Sequence, residues 1–436
     1  MSGSRGKWGA LALLSVVIAG NYYAYDSIAP VADLLRSGRG FTQSQIGLLN
    51  AVFSIPNIFL ALAGGVLIDR YGPARVALWT AALCCLGAVL TAVGTPFGLM
   101  VTGRLLFGIG EETLLIALLA GLAQWFAGGG TALAMALFFS LARVGSYAAD
   151  ISPRWAHPLY ALGSAPPLWL AAAITGVSLL AAVIYVVLDS KRRGGAPAVG
   201  SERVTWADIK RFDRSYWYIL ALNVLFASVF FPFRSTFAIE YFQDAKGLSL
   251  EAAGLVNSWV FFAAIFATPL FGFIADRIGH RALMMTVGTL MMPLTFLILG
   301  ATNWSLWVST ALMGISFSVV PAVIWPSTAM LVEPSRLGTA YGLINVLQNV
   351  GLAACNLAAG WLNDAAHAGA DNPAGFDAML WFFGILGLVA FTFVALLWLR
   401  EAGGRGHGLE SVRTTPAPVG ARARRAPQGC KPRSAR

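Results

Sequence analysis

Long apolar runs alternate with short clusters of Gly, Pro and charge along the whole chain. The runs cover 8–33, 44–67, 73–93, 96–123, 131–153 and 166–188, then 216–242, 250–275, 281–300, 303–332, 336–362 and 376–399. A helix that crosses a bilayer needs about 20 apolar residues. The pattern therefore predicts an all-α integral membrane protein of twelve transmembrane helices. A polar stretch divides the runs into two sets of six. The expected organisation is a six-helix bundle over 1–188, a cytoplasmic loop over 189–214, a second bundle over 215–399 and a disordered basic cytoplasmic tail over 400–436. The tail is rich in Pro, Gly and Arg and has no apolar face.

Composition narrows the class further. The 436 residues are 57% hydrophobic and 11% charged, against roughly 25% charged in an ordinary soluble domain. A globule of this length needs more polar surface than that, which excludes a soluble enzyme. The net charge of +10 is explained by topology and not by nucleic acid. With the N-terminus inside, 23 Lys and Arg fall on the inner side and four (Arg36, Arg39, Arg154, Lys246) on the outer side. Cytoplasmic loops collect basic residues, so both termini are expected to be cytoplasmic. The basic start and apolar run at the N-terminus have no clear small-residue cleavage site and read as an uncleaved first span. Cys84, Cys85, Cys355 and Cys430 show neither disulfide nor zinc spacing. No metal site and no cofactor are expected.

The two halves repeat. Gly47-Leu48-Leu49-Asn50 recurs as Gly254-Leu255-Val256-Asn257, and Gly65-Val66-Leu67-Ile68-Asp69-Arg70-Tyr71-Gly72 recurs as Gly272-Phe273-Ile274-Ala275-Asp276-Arg277-Ile278-Gly279. Both pairs are offset by 207 residues without a gap. The pattern indicates two six-helix pseudo-repeats. In the G-x-x-x-D-R-x-G unit, Gly favours close approach of adjoining helices. Asp69 with Arg70, and Asp276 with Arg277, place charge in the loop that follows. The carboxylates can accept from helix N-termini or arginines and latch the inner side of the protein.

Ionisable groups at bilayer depth default to functional candidates. These are Asp26, Arg104, Glu111, Glu112, Arg143, Arg234 and Glu240. Glu112 in span 4 and Arg143 in span 5 are equidistant from the middle of the loop joining the two spans. Each is about 12 residues, or roughly 18 Å along a helix, above it. A carboxylate and a guanidinium at one level suit a zwitterion, and a direct pair between the two is the alternative. Arg104 is expected to act as an internal brace, with Glu111 as partner. Arg234 and Glu240 are expected near the outer end of span 7, exposed, with little functional role. Asp26, after Asn21-Tyr22-Tyr23-Ala24-Tyr25, either attracts a cationic group or caps a broken helix end. In the second half, Pro326 can kink the backbone beside Trp325, and Asn345, Gln348 and Asn349 can bond between helices or to a solute.

Two parallel repeats joined by a basic loop resemble the major facilitator transporters. Asn21 through Asp26, Phe107-Gly108-Ile109-Gly110-Glu111-Glu112, Leu141-Ala142-Arg143-Val144-Gly145-Ser146, Phe231-Pro232-Phe233, Ile324-Trp325-Pro326 and Leu337 through Gly342 to Gln348-Asn349 look like the lysosomal dipeptide uniporters and their bacterial relatives. The likeness covers nearly all of residues 15–395. It implies a dipeptide held by its ends, with Glu112 on the amine, Arg143 on the carboxylate and Trp325 in the pocket. Tyr22 and Asp26 of the first motif join the expected substrate-binding set, and Asp69, Arg70, Asp276, Arg277 and Arg104 form the gating or structural set. A glycosylated single-pass accessory subunit is expected only if the chain follows the animal members of that branch; otherwise a monomer is expected.

The chain departs from the branch at Glu111, where Gly is usual, and in its Arg-rich tail. Its sequon, Asn303-Trp304-Ser305, begins a span. Its Arg-, Ala- and Gly-rich composition points to the bacterial cytoplasmic membrane, with the lysosomal membrane expected if it follows the animal members. The rival reading is an organic-anion, dicarboxylate or drug-like carrier of the same fold. There Arg143 is the anion site and Glu112 a proton-linked switch. No midplane Ser/His/Asp set suggests an enzyme, and the E-x-x-E-R signature of proton-coupled peptide transporters is missing from span 1.

Overall fold

The computed structural model describes residues 2–94, 96–127, 129–190, 209, 211–302, 304–333, 336–403 and 406–411. Twelve long helical segments run through them. The first six are α1 (Ser2–Asp26), α2 (Gln43–Tyr71), α3 (Pro73–Val93), α4 (Phe97–Trp125), α5 (Thr131–Asp150) and α6 (Ala165–Ser190). The next is α7, which runs over Arg214–Pro232, through a π-helical turn at Phe233–Phe237, to Ala238–Asp244. The last five are α8 (Leu250–Ile278), α9 (Arg281–Ala301), α10 (Leu306–Leu331), α11 (Leu337–Ala365) and α12 (Asp377–Ala402). Ten are long and apolar enough to cross a membrane, and the two parts of α2, Gln43–Leu60 and Gly64–Tyr71, make an eleventh together.

Most helix ends fall within three residues of the apolar runs, because the same residues that interrupt hydropathy also cap helices. Thr42 forms a capping box with Gln45 at the start of α2, and Ser249 accepts from the Ala252 amide at the start of α8. Gly72 and Gly279 close the two D-R-x-G units at φ of 84° and 71°, a left-handed backbone that favours glycine. The first run differs: α1 stops at Asp26, and a turn with Pro30 in its first positions leads into a short helix, Ala32–Arg39.

Two hydrophobic cores result, one almost wholly from α1–α6 and the other from α7–α12. Large apolar side chains also remain outside, including Phe59 at 74% and Phe266 at 66% exposure. Apolar surface on this scale is solvated by lipid and not by water. The near face, as named here, carries the start of α1 and the end of α12; the far face lies opposite.

The halves meet where α2 lies along α11 and α5 along α8. Gly47 abuts the Asn356 carbonyl and Gly254 the Asp150 carbonyl, so a Cβ at either would overlap backbone oxygen. The repeated Gly thus marks a close backbone approach between halves. Gly272 corrects the expectation for the other unit, because a Cβ there meets nothing within 4 Å.

The tail also departs from expectation at its start. Glu401 accepts from the amides of His407, Gly408 and Leu409, Leu409 is fully buried, and the Arg281 amide donates to its carbonyl at 3.0 Å. Residues 406–411 therefore fold back onto the second bundle, because Glu401 supplies an acceptor for successive amides. The rest of the tail, 412–436, most of the central loop (191–208 and 210) and Asn303 of the sequon lie outside the described residues.

Candidate functional site

A cavity of about 260 Å³ lies between the halves and draws its walls from both. That is close to the lower end of the range for small-molecule sites, roughly 300–1,000 Å³. Tyr22, Asp26, Glu112, Arg143 and Trp325, expected from the sequence, all line it.

The two central charges do not pair with each other. The Glu112 Oε1 accepts from Asn345 Nδ2 at 2.5 Å, across the halves. Asn345 is oriented in turn by Asn349, whose Nδ2 donates to Asn345 Oδ1 at 2.6 Å. The α11 amides therefore form hydrogen bonds in this structure, and one of them holds the candidate acid. Arg143 lies among three aromatic rings, with its guanidinium carbon 5.2 Å from the centre of Tyr22, 5.0 Å from Phe261 and 4.9 Å from Phe317. Cation–π attraction operates at such distances. Among the described residues no hydrogen bond or ion pair engages its guanidinium. Arg143 lines the cavity, and a guanidinium matches a carboxylate.

Trp325 stands in α10 between the features its sequence announced. Pro321 and Pro326 both lie inside the continuous helix, and the Tyr341 hydroxyl donates to the Trp325 carbonyl at 3.0 Å. The Trp325 and Tyr341 rings lie 5.5 Å apart. Glu111 borders the same cavity one helical step from Glu112.

Arg104 is a brace, but its partner differs from the one expected. Its guanidinium donates to the carbonyls of Leu49 at 3.2 Å, Ala24 at 3.4 Å and Tyr25 at 3.4 Å, and to Asn50 Oδ1. Glu111 lies on the cavity side, so the guanidinium ties α1 to α2. In the second half Asp276 accepts from Arg281 Nη2 at 2.8 Å, within its own loop. Arg70 and Arg277 lie over the rings of Tyr71 and Phe273 on their own helices, at 5.3 Å and 5.8 Å.

The expectation for Arg234 and Glu240 is overturned: both are 0% exposed. The π-helical turn after Pro232 swings Arg234 inward. There its Nη1 donates to Asp26 Oδ1 at 2.7 Å and its Nη2 to Asp150 Oδ2. Glu240 accepts from Arg36 and, at 2.9 Å, from Gln43 Nε2. Asp244 also accepts from Arg36, at 3.3 Å. Asp364 accepts from the Gln43 and Ser44 amides, each at 2.8 Å. Asn50 Nδ2 donates to the Ser235 carbonyl at 3.1 Å and to Thr236 Oγ1 at 2.7 Å, and Thr236 donates to Asn356 at 2.7 Å. These bonds join the halves on the far side of the cavity, so the far face is sealed. Asp26 is thereby engaged through Oδ1 by Arg234 while it borders the cavity. Sequence reasoning passed over Asp150. The available signal was an acid at the end of a span, needed once Arg234 is counted as a buried charge.

Two helical bundles enclosing a central charged cavity, with lipid-facing apolar surface, define a membrane transporter and not an enzyme. The chain belongs to the Major Facilitator Superfamily, whose family model matches residues 12–249 and 224–428. It is 30% identical over 360 residues to the lysosomal dipeptide transporter MFSD1 of Danio rerio, covering 79% of this chain and 78% of that one. It is also 30% identical over 374 residues to the Homo sapiens protein of the same name, covering 81% and 79%. Its fold is similar to that of a bacterial homologue of the human lysosomal transporter Spinster. The TM-score is 0.73 at 15% identity, over 92% of this chain and 99% of that one.

Proposed function

We propose that this transporter carries dipeptides, holding the solute by its ends between Glu112 and Arg143. The single observation that carries the reading is the unpaired state of those charges: Arg143 presents an unengaged guanidinium to the same cavity into which Asn345 orients Glu112. An ammonium on Glu112 and a carboxylate on Arg143 would complete both groups. The likeness to dipeptide transporters supports the same assignment. Trp325 and Tyr22 supply flat walls for the body of the solute. The two bundles, 1–188 and 215–399, rock about this site so that it opens to each face in turn.

The excess of Lys and Arg on the near face supports cytoplasmic termini, in the cytoplasmic membrane of a bacterium. We take the protein to work as a monomer, without the accessory subunit of the animal branch.

The test is a thermal shift assay on purified protein with Lys-Ala, its N-acetyl analogue, free lysine and oxalate. A ligand that binds only the folded state raises the melting temperature. Lys-Ala should stabilise, and the N-acetyl analogue should not. Stabilisation by oxalate with none by any dipeptide would transfer the assignment to organic anions.

A further inference from the structure

The far-face seal contains a charge imbalance that solute binding does not use. Arg234 on α7 is shared by Asp26 on α1 and Asp150 on α5, and the three are 0%, 2% and 0% exposed. One guanidinium neutralises one carboxylate, and the second is a surplus negative charge among buried side chains. The surplus is localised. Asp26 borders the cavity, whereas Asp150 is sealed and its Oδ1 has no hydrogen-bond partner among the described residues.

The neighbouring charges do not remove the surplus. Asn257 on α8 donates to the Arg234 carbonyl at 3.2 Å and its neutral amide also faces the Asp150 carboxyl, and Ser152 and Tyr160 beyond α5 bond to each other. Arg104 on α4 is committed to carbonyls and Asn50. Arg143 on α5 faces the cavity, where Glu111 and Glu112 on α4 oppose it. Around the cavity and the Arg234 cluster, four carboxyl groups (Asp26, Glu111, Glu112, Asp150) stand against three guanidinium groups (Arg104, Arg143, Arg234), and the separate Arg36 cluster of the seal sets Glu240 and Asp244 against one guanidinium.

We infer that Asp150 is a proton-binding site that sets the far-face gate: the closed gate holds one proton on Asp150, and opening releases it to far-side water. When the gate opens, Arg234 separates from α1 and α5, water reaches Asp150, and the carboxylate is solvated. When it closes, Asp150 takes up one proton and the triad becomes neutral. Acid therefore favours the closed far face and alkali favours the open one. The inference rests on the transporter reading and is independent of which solute is carried.

The test needs no solute. Ala29, 2% exposed, packs in the far-face turn against α7. It is changed to Cys in a protein whose four native cysteines are replaced. Far-side labelling by a membrane-impermeant maleimide is measured from about pH 5 to pH 9 in proteoliposomes, after correction for the thiolate fraction with an exposed Cys as reference. One proton linked to opening shifts the closed-to-open ratio up to tenfold per pH unit. Asp150→Asn, and independently Asp26→Asn, should abolish that component and keep the reporter protected across the range. Asp213→Asn, paired with Arg400 near the near-face end of α12 and away from the seal, should retain it. Corrected labelling of the unaltered gate that is flat with pH, or an unchanged pH response in whichever of Asp150→Asn and Asp26→Asn folds, overturns the inference. Failure of dipeptides to bind would leave this result intact and strike only the solute assignment.

Discussion

Gly47 on α2 touches the carbonyl of Asn356 on α11 so closely that the contact has no room for a side chain. The two residues belong to different halves. Gly254 on α8 repeats the arrangement against Asp150 on α5. Since Thr236 and Asn50 complete the bonds beside Asn356, the far-face seal depends on backbone proximity as much as on charge.

Gly47→Ala and Gly254→Ala should therefore leave each bundle folded and prevent the far face from closing fully. A far-side reporter cysteine should label at least about tenfold faster in either variant, the equivalent of roughly 1.4 kcal/mol against closure. Gly272→Ala, with open space around it, should label like the parent.

Glu112→Gln should remove the preference for a free α-amine. A lost charge-assisted hydrogen bond costs about 1.5–3 kcal/mol, or roughly 10- to 150-fold in Kd. Titration calorimetry with Lys-Ala and its N-acetyl analogue reads this directly. In the parent, dipeptide affinity should fall as acid protonates Glu112, since the ligand ammonium stays charged there. An oxalate carrier would bind more tightly in acid.

Arg104→Leu should lower stability. Four acceptors on α1 and α2 lose their donor, and interhelical hydrogen bonds in membranes average about 0.6 kcal/mol each. The total is about 2 kcal/mol, to be read as a fall in melting temperature in detergent. Arg104→Lys should recover only part of it, because an ammonium cannot reach all four acceptors.

Asp213, outside the spans, should contribute an acid-sensitive element of stability. Partial burial pushes its carboxyl up, but the backbone amides of Ser215 and Arg214 and the charges of Arg400 and His407 outweigh this and hold it below its ordinary value. Arg400 reaches both carboxylate oxygens at 2.9 Å. With the folded value depressed, the contribution is present above the unfolded value of about 3.9. It is lost as pH falls through the folded one. The exposed pair is worth under about 1 kcal/mol. Melting curves of Asp213→Asn and the parent should separate above about pH 4 and converge in stronger acid, as pH falls through the depressed folded value.

The helices were legible because hydropathy, caps and the D-R-x-G glycines coincide in sequence. Gly72 and Gly279 could be recognised as loop glycines from their repeat, but that Gly47 and Gly254 touch the opposite half required the packing. Depth in the sequence places Glu112 and Arg143 at one level, because they lie on neighbouring helices joined by a short loop, and both line the cavity. The burial of Arg234 is not legible in the sequence, because the residue lies in the π-helical turn after Pro232, and hydropathy carries no signal for a widened turn. Asp150 was missed because a carboxyl at a helix end reads as solvent-facing until its partner, 84 residues away, is known.

Asp26 and Arg234 are 208 residues apart, one position from the 207-residue repeat offset. Near-equivalent positions of two halves meet only beside the axis that relates them. Two identical subunits would place like charges face to face at such a point, so the bond between Asp26 and Arg234 cannot form in a symmetric dimer of either half. Joining the halves in one chain allows each to mutate alone, and this lock is available only to a protein whose symmetry has been broken.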